Sequence, residues 1–88
     1  MNRYYQNSFW RDVKKIIDPA LWKQVEQAIL SVQQAQTIKD IPRLKKMKGH
    51  TIYYRIKVGR YRIGVTIEGN LATFARCLPR KDFYKYYP

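Results

Sequence analysis

Two stretches of the chain, residues 53–58 and 61–67, alternate between apolar and polar side chains, and Gly59-Arg60 separates them. Alternation with period two is typical of a β-strand, because successive side chains point to opposite faces. The glycine supplies a tight turn, so the pattern predicts a β-hairpin with one apolar and one basic face. The apolar set is Tyr54, Ile56, Val58, Tyr61, Ile63, Val65 and Ile67, and the opposite set is Arg55, Lys57, Arg62, Gly64 and Thr66.

Apolar residues at helical spacing come before the hairpin. Ser8 can cap a first helix, and Asp18-Pro19 starts a second one that should run to about Ala35, because aspartate is a good N-cap and proline fits the first helical position. Two helices joined by a short break form a helical hairpin, whose apolar side requires a sheet to cover. The apolar positions are Phe9, Val13, Ile16 and Ile17 in the first helix, and Leu21, Val25, Ala28, Ile29 and Val32 in the second.

The remaining segments complete a small α+β fold. A short leading strand passes through Tyr4 and Tyr5, and three further strands cover 52–58, 61–68 and 71–78. In the last strand, strict alternation places Arg76 on the same side as Phe74 and Leu78. We predict one domain over residues 1–88, with an N-terminal helical hairpin packed on a mainly antiparallel sheet of three to four strands and a short C-terminal helical turn or tail.

The charge is large and unevenly distributed. The 88 residues carry a formal net charge of +12, and residues 39–88 hold thirteen of the 18 basic side chains and three of the six acidic ones. Such a field attracts polyanions, which favours a nucleic acid or an acidic protein as the partner. The single cysteine fits a reducing compartment, and no stretch resembles a signal peptide or a membrane span, so we expect a cytoplasmic protein.

The composition excludes several kinds of chemistry. One histidine, one cysteine and six scattered acids do not form a conventional metal site or a nucleophilic triad, so no metal and no cofactor are expected. A mechanism with two histidines is excluded because His50 is alone. We interpret His50 as a loop residue, Cys77 as a small strand residue, and Trp10 and Trp22 as core or partner-interface residues.

Cations and tyrosines remain as the candidate chemical groups. Arg55 and Lys57 share one strand face, and Arg62 has the same parity on the partner strand. Arginine offers a planar fork for phosphate oxygens and lysine a compact charge, so this array can hold a phosphodiester while the RNA's own 2′-hydroxyl attacks it. Arg80 and Tyr84 follow the last strand and can form an opposite wall.

Basic residues outside this array can contact the RNA backbone. The connector 43–48 mixes cations with Leu44 and Met47, and it can be either a phosphate-contacting segment or a partly solvated strand that tucks its apolar residues into the core. The candidate RNA-binding residues are Lys45, Lys46, Lys48, Arg60, Arg76 and Lys81.

Three segments together resemble the RelE branch of the RelE/ParE toxins of bacterial type II toxin–antitoxin systems. They are Leu44 to Gly49, Tyr54 to Ile63, and Pro79 to Tyr84, and the helical segment from Phe9 to Lys15 also falls where the family has its own. The resemblance implies a small α+β toxin that enters the ribosomal A site and cleaves mRNA without a metal ion. It also implies contact with ribosomal RNA and neutralisation by an antitoxin through an acidic or amphipathic segment.

The resemblance also assigns roles by position. Arg55 and Lys57 stand where RelE-type toxins carry catalytic lysines, Arg62 matches a phosphate-binding arginine, and Arg80 and Tyr84 match an arginine and a base-stacking tyrosine. Arg55 replaces a lysine, which leaves Lys57 as the candidate general base. Pro79 stands where many relatives have a histidine.

Two other functions are compatible with parts of the sequence. A gyrase-inhibiting toxin of the ParE type would use the same fold, but it needs no clustered arginine, lysine and tyrosine site. A non-catalytic module that binds RNA or DNA would explain the charge alone. The first interpretation, a ribosome-dependent endoribonuclease with a 2′,3′-cyclic phosphate product, accounts for both the charge and the cluster.

Overall fold

The computed structural model describes all 88 residues, which form one five-stranded sheet with helices on both of its faces. The strand order is β1-β5-β4-β3-β2; β1 and β5 are parallel, and all other neighbours are antiparallel. The prediction of three to four strands was therefore too low, because both edge strands are short. The elements are β1 (Asn2–Tyr5), α1 (Asn7–Val13), α2 (Pro19–Gln34), a 3-10 turn (Ile38–Asp40), β2 (Leu44–Lys46), β3 (Tyr53–Val58), β4 (Tyr61–Glu68), β5 (Leu71–Pro79) and α3 (Arg80–Tyr86).

The main core lies between α1, α2 and one face of the sheet. The apolar faces of β3 and β4 are buried there as the alternation predicts, and Asp18 caps α2 by accepting a hydrogen bond from the Ala20 amide at 2.9 Å. Burial of these side chains stabilises the fold by about 1.5–3 kcal/mol for each large one. The largest fully buried side chains of this core are those of Phe9, Phe74, Ile56, Ile63, Val13, Val25, Val32 and Val65.

Helix α1 is shorter than predicted and protects the edge of β5. It begins at Asn7 with Gln6 as an N-cap that makes no side-chain hydrogen bond, so the predicted Ser8 cap is wrong. Ser8 Oγ instead donates to the Ala75 carbonyl at 2.6 Å, beyond the point where β1 ends. The helix stops at Val13, which leaves Ile17 94% exposed rather than on the apolar stripe. Side chains of α1 thus satisfy backbone groups that a longer β1 would have paired.

A β-bulge in β5 reverses the predicted orientation of its second half. Val65 pairs with Phe74 and Gly64 pairs with Arg76, so Ala75 is the extra residue. One inserted residue shifts the alternation by one position. Phe74 and Cys77 therefore both face the core, whereas Arg76 lies opposite Gly64 on the other face and not on the side of Phe74.

Helix α3 covers the second face of the sheet. A Cβ atom added to Gly64 would lie 2.6 Å from the Tyr87 ring, so the ring rests directly on the backbone of β4. Phe83 and Tyr87 have ring centroids 5.1 Å apart, and both are buried. The predicted C-terminal turn or tail is thus a docked two-turn helix that closes a second, smaller apolar cluster.

None of the three helices is both long enough and apolar enough to cross a membrane.

Candidate functional site

The pairing register places four cations on the sheet face that carries α3. Lys45 on β2 pairs with Arg55 on β3, and Lys57 on β3 pairs with Arg62 on β4. Residues directly opposite each other in an antiparallel pair share a face, and Arg55 and Lys57 share a face because they are two apart. The sequence-based grouping of Arg55, Lys57 and Arg62 thus agrees with the register, and Lys45 extends it. We call these four residues the basic row.

Arg62 is the most enclosed member of the basic row, with only 7% of its surface exposed. Its Nη1 donates to the carbonyls of Gly59 at 3.0 Å and Tyr61 at 2.8 Å, which fixes the side chain against the hairpin turn. Its Nε is buried and has no hydrogen-bond partner, and no carboxylate pairs with the guanidinium. A buried cation without an anion is costly, so Arg62 is arranged to favour an incoming anion.

The other members of the basic row are more accessible. Lys57 is exposed, and Arg55 is half-buried and donates its Nη1 to the Arg43 carbonyl at 3.2 Å. Like charges held close together repel each other, and an anion bound among them removes that repulsion. The basic row therefore combines two anchored guanidinium groups with two lysines that are free to move.

Helix α3 directs one of its flanks toward the basic row. Its first residue, Arg80, donates its amide to the Arg60 carbonyl at 2.9 Å, which ties the helix start to the β3–β4 turn. Because helical residues rotate by about 100° each, Arg80 and Tyr84 share one flank, while Tyr86 lies on the other. Tyr86 lies over Arg76 of β5, so the flank with Arg80 and Tyr84 faces the β3 side. Tyr84 remains 51% exposed.

Arg76 differs from the other predicted RNA-binding residues because it is paired. Its Nε donates to Asp12 Oδ2 at 2.7 Å and its Nη2 to Asp12 Oδ1 at 3.2 Å. The hydrogen bond to Asp12 raises the pKa of Arg76. The remaining predicted RNA-binding residues, Lys45, Lys46, Lys48, Arg60 and Lys81, are all exposed.

A concavity of the molecular surface lies beside the basic row. It is a groove of about 670 Å³ between α2 and β3, lined among others by Gln24, Gln27 and Ser31, and Lys57 borders it. Within the basic row, Lys45 and Lys57 are open to solvent and Arg62 is enclosed. An open row of cations suits an extended polymer better than an enclosed small molecule.

Cys77 and His50 take the places predicted for them. Cys77 is 1% exposed in β5, and burial raises the pKa of its thiol to about 12, so it is not a nucleophile at neutral pH. His50 is an exposed loop residue whose ring meets the Tyr53 ring edge to face at 5.1 Å. Trp22 packs against the core, whereas Trp10 is 42% exposed.

Sequence reasoning missed the residues that hold α3 in place. Gly64 inside a strand is a known signal for close backbone approach, and Tyr87 is the ring that approaches. Asp12 stands three residues after Phe9 and so on the apolar face of α1, where an acid requires a partner. Neither signal identifies the partner, because Arg76 and Tyr87 are distant in sequence.

Known proteins are similar to this chain in sequence and in fold. The chain is 35% identical over 89 residues to toxin RelE3 of Methanocaldococcus jannaschii, with both chains covered completely. The toxin–antitoxin complex RelB–RelE of Methanococcus jannaschii contains a chain that is 34% identical, with a TM-score of 0.79 over 97% of this chain and 99% of that one. The YoeB dimer of Staphylococcus aureus, at 21% identity, shares the fold with a TM-score of 0.72 over 89% of this chain and 94% of that one.

No protein-family model matches the sequence. The full-length identity to a RelE toxin is nevertheless well above the level at which only a fold is shared, and the sheet and all three helices agree with this assignment. The chain therefore belongs to the RelE family of toxin–antitoxin toxins.

Proposed function

We propose that this toxin is an endoribonuclease that cleaves mRNA in the ribosomal A site. The observation that carries the proposal is the enclosed charge of Arg62, which has no carboxylate partner and lies at the β4 end of the basic row, opposite Lys57. A phosphate is the anion that such an arginine accommodates best, because its oxygens accept from the guanidinium fork.

The proposed reaction is an attack by the RNA's 2′-oxygen on the adjacent phosphorus. The new bond closes a 2′,3′-cyclic phosphate and the bond to the 5′-oxygen breaks. The 5′-oxygen takes a proton from a water molecule, so the next nucleotide leaves with a 5′-hydroxyl. Lys57, which lies opposite Arg62 in the basic row, accepts the 2′-proton as the general base. Arg55, Arg62 and Arg80 stabilise the charge that develops on the phosphate, and no metal ion is needed in this scheme.

Tyr84 supplies a stacking surface for a base next to the scissile phosphate. Its ring is half exposed and meets the buried Phe83 ring edge to face at 5.0 Å, which supports it from behind. Stacking of a base on an aromatic ring contributes about 1–3 kcal/mol. The remaining walls of the site would be supplied by ribosomal RNA, which the exposed cations Lys45, Lys46, Lys48, Arg60 and Lys81 would contact, whereas Arg76 is already paired with Asp12.

We further propose that a cognate antitoxin neutralises the toxin by covering the basic row. The solved relative from Methanococcus jannaschii is a complex with its antitoxin RelB. An acidic, amphipathic segment would complement the net charge of +12.

The proposal is tested by cleavage of mRNA on programmed ribosomes and by growth arrest after induction. Arg62→Ala and Arg80→Ala should each lower the cleavage rate at least about 100-fold, as is typical when a group that stabilises transition-state charge is removed. Lys23→Ala is the matched control, because Lys23 is an exposed cation on α2, away from the basic row. Full toxicity and cleavage in both arginine variants would refute the site. Growth arrest with intact mRNA and trapped gyrase–DNA complexes would instead favour the gyrase-inhibiting function.

A further inference from the structure

An ion pair and an aromatic contact connect α1 with α3 through β5. Asp12 of α1 accepts two hydrogen bonds from the Arg76 guanidinium, and the Cζ atom of Arg76 lies 5.6 Å from the centre of the Tyr86 ring of α3. A guanidinium over an aromatic ring at this distance makes a cation–π interaction. Asp12, Arg76 and Tyr86 form what we call the Asp12 relay. It contains the single salt bridge of the molecule.

The first member of the relay is rigidly held. Asp12 is only 5% exposed, and its Oδ2 also accepts from the Cys77 amide at 2.9 Å, beside the β-bulge. One carboxylate therefore binds the side chain of Arg76 and the backbone of the next residue. A bidentate pair fixes the orientation of the guanidinium as well as its position. Arg76 thus presents a fixed planar surface to α3.

The last member of the relay lies on the flank of α3 opposite the proposed catalytic side chains. Phe83 within α3 and Tyr87 directly after its last residue attach the helix to the sheet, with their rings tilted by 33° to each other, and a roll of α3 about its axis would slide both rings over the sheet. A contact at Tyr86 on one flank limits that roll. A rotation of α3 would move Arg80 and Tyr84 away from the β3 side of the sheet.

We propose that Asp12 is a positioning residue for the cleavage reaction. It orients Arg76, Arg76 holds Tyr86, and the held flank keeps Arg80 and Tyr84 turned toward Lys57. This inference rests on the proposed ribonuclease function for the roles of Arg80 and Tyr84. The coupling between Asp12 and α3 is independent of that function.

A double-mutant cycle tests the relay. Asp12→Asn keeps the size of the side chain and an acceptor for the Cys77 amide but removes the charge, and Tyr86→Leu removes the ring. Each should raise hydrogen exchange of the Tyr87 amide, which donates to the Phe83 carbonyl at 2.9 Å, by about three- to tenfold. The cleavage rate at saturating ribosomes should fall by a similar factor. The double variant should be no worse than the more affected single variant, because both changes break one chain of contacts.

Two controls separate positioning from general damage. Tyr86→Phe keeps the ring, so its rates of Tyr87 amide exchange and of mRNA cleavage should lie within about twofold of the wild-type rates. Tyr4→Leu removes a tyrosine that is as exposed as Tyr86, at 60%, but lies on β1 and outside the relay, and should change neither readout. Because Tyr86 is 60% exposed, its variants lose little buried surface. They should stay folded even if Asp12→Asn unfolds the protein.

The outcomes are distinct for the two proposals. Unchanged Tyr87 exchange in Asp12→Asn and Tyr86→Leu, or effects that multiply in the double variant, would overturn the relay. A wild-type protein that cleaves no mRNA would refute the proposed function, and the exchange cycle, which is measured without RNA, would still decide whether Asp12 holds α3.

Discussion

Gly64→Ala tests the docking of α3 with the smallest possible change. The new methyl group would lie 2.6, 2.7 and 2.8 Å from three carbon atoms of the Tyr87 ring. Carbon atoms in favourable contact are about 3.5–4.0 Å apart, so the ring must retreat by about 1 Å. Tyr87 cannot retreat freely, because it packs against Phe83 at 5.1 Å and Tyr53 at 5.8 Å.

The sign of the change in the free energy of unfolding shows whether the Tyr87 ring rests on Gly64. Alanine is ordinarily better than glycine inside a strand by about 0.5–1 kcal/mol, whereas an extra methyl group in a packed contact costs about 1–3 kcal/mol. We expect the free energy of unfolding to fall by about 0.5–2 kcal/mol. Because the strain concentrates on α3, mRNA cleavage should fall as well.

Chemical denaturation and the ribosomal cleavage assay measure the two effects. In a Tyr87→Leu background the clash is absent, so the same Gly64→Ala change should become neutral or stabilising. Gly69→Ala serves as a control for cleavage, because a Cβ atom there meets nothing within 4 Å and its φ of +56° affects stability alone. If Gly64→Ala raises the free energy of unfolding of the otherwise wild-type protein, the Tyr87 ring does not rest on β4.

Three further predictions concern other parts of the molecule. Burial raises the pKa of the Cys77 thiol to about 12 and also raises the pKa of the Tyr87 hydroxyl, so the folded state keeps protons that the unfolded state releases. The free energy of unfolding should fall by up to about 1.4 kcal/mol per pH unit between pH 9 and 12 because of Cys77, with a further fall above pH 10 because of Tyr87, and Cys77→Ala should flatten the slope in alkaline denaturation curves. Arg62→Lys keeps the charge but loses the fork, so cleavage should fall at least about tenfold for an unfolding cost of only about 1–2 kcal/mol; equal cleavage would refute a bidentate role. Deleting Ala75 removes the extra residue and leaves Phe74 and Cys77 on the core face and Arg76 on the other in regular alternation, so the variant should fold, with the loss of the Ser8–Ala75 hydrogen bond costing about 0.5–1.5 kcal/mol; a variant that is unfolded by circular dichroism would contradict the assignment of the extra residue.

Local patterns predicted the elements whose signals are contained in a few neighbouring residues. The hairpin turn at Gly59-Arg60, the cap at Asp18, and the strands from Tyr53 to Val58 and Tyr61 to Glu68 follow from alternation and turn chemistry. The shared face of Arg55, Lys57 and Arg62 follows from the same alternation, so the centre of the candidate site was accessible to sequence reasoning.

The features that were mispredicted depend on contacts between distant residues. The bulge at Ala75 exists because β5 must pair with β4 while its outer edge meets Ser8 and Asp12 of α1. No pattern within residues 71–79 predicts these contacts between β5 and α1. The docking of α3 depends likewise on Gly64, and this contact is decided by tertiary packing rather than by the propensity of the seven helical residues.

The parallel pairing of β1 with β5 has a consequence for how the chain folds. Asn2 pairs with Leu71 and Tyr5 with Phe74, so the first strand has no partner in the sheet until nearly all of the chain has been synthesised. Pairing between such distant segments is slow, because the intervening chain must first be ordered. Arg80 and Tyr84 follow even later. A newly made chain therefore completes its basic surface only after residues 80–84 have been synthesised.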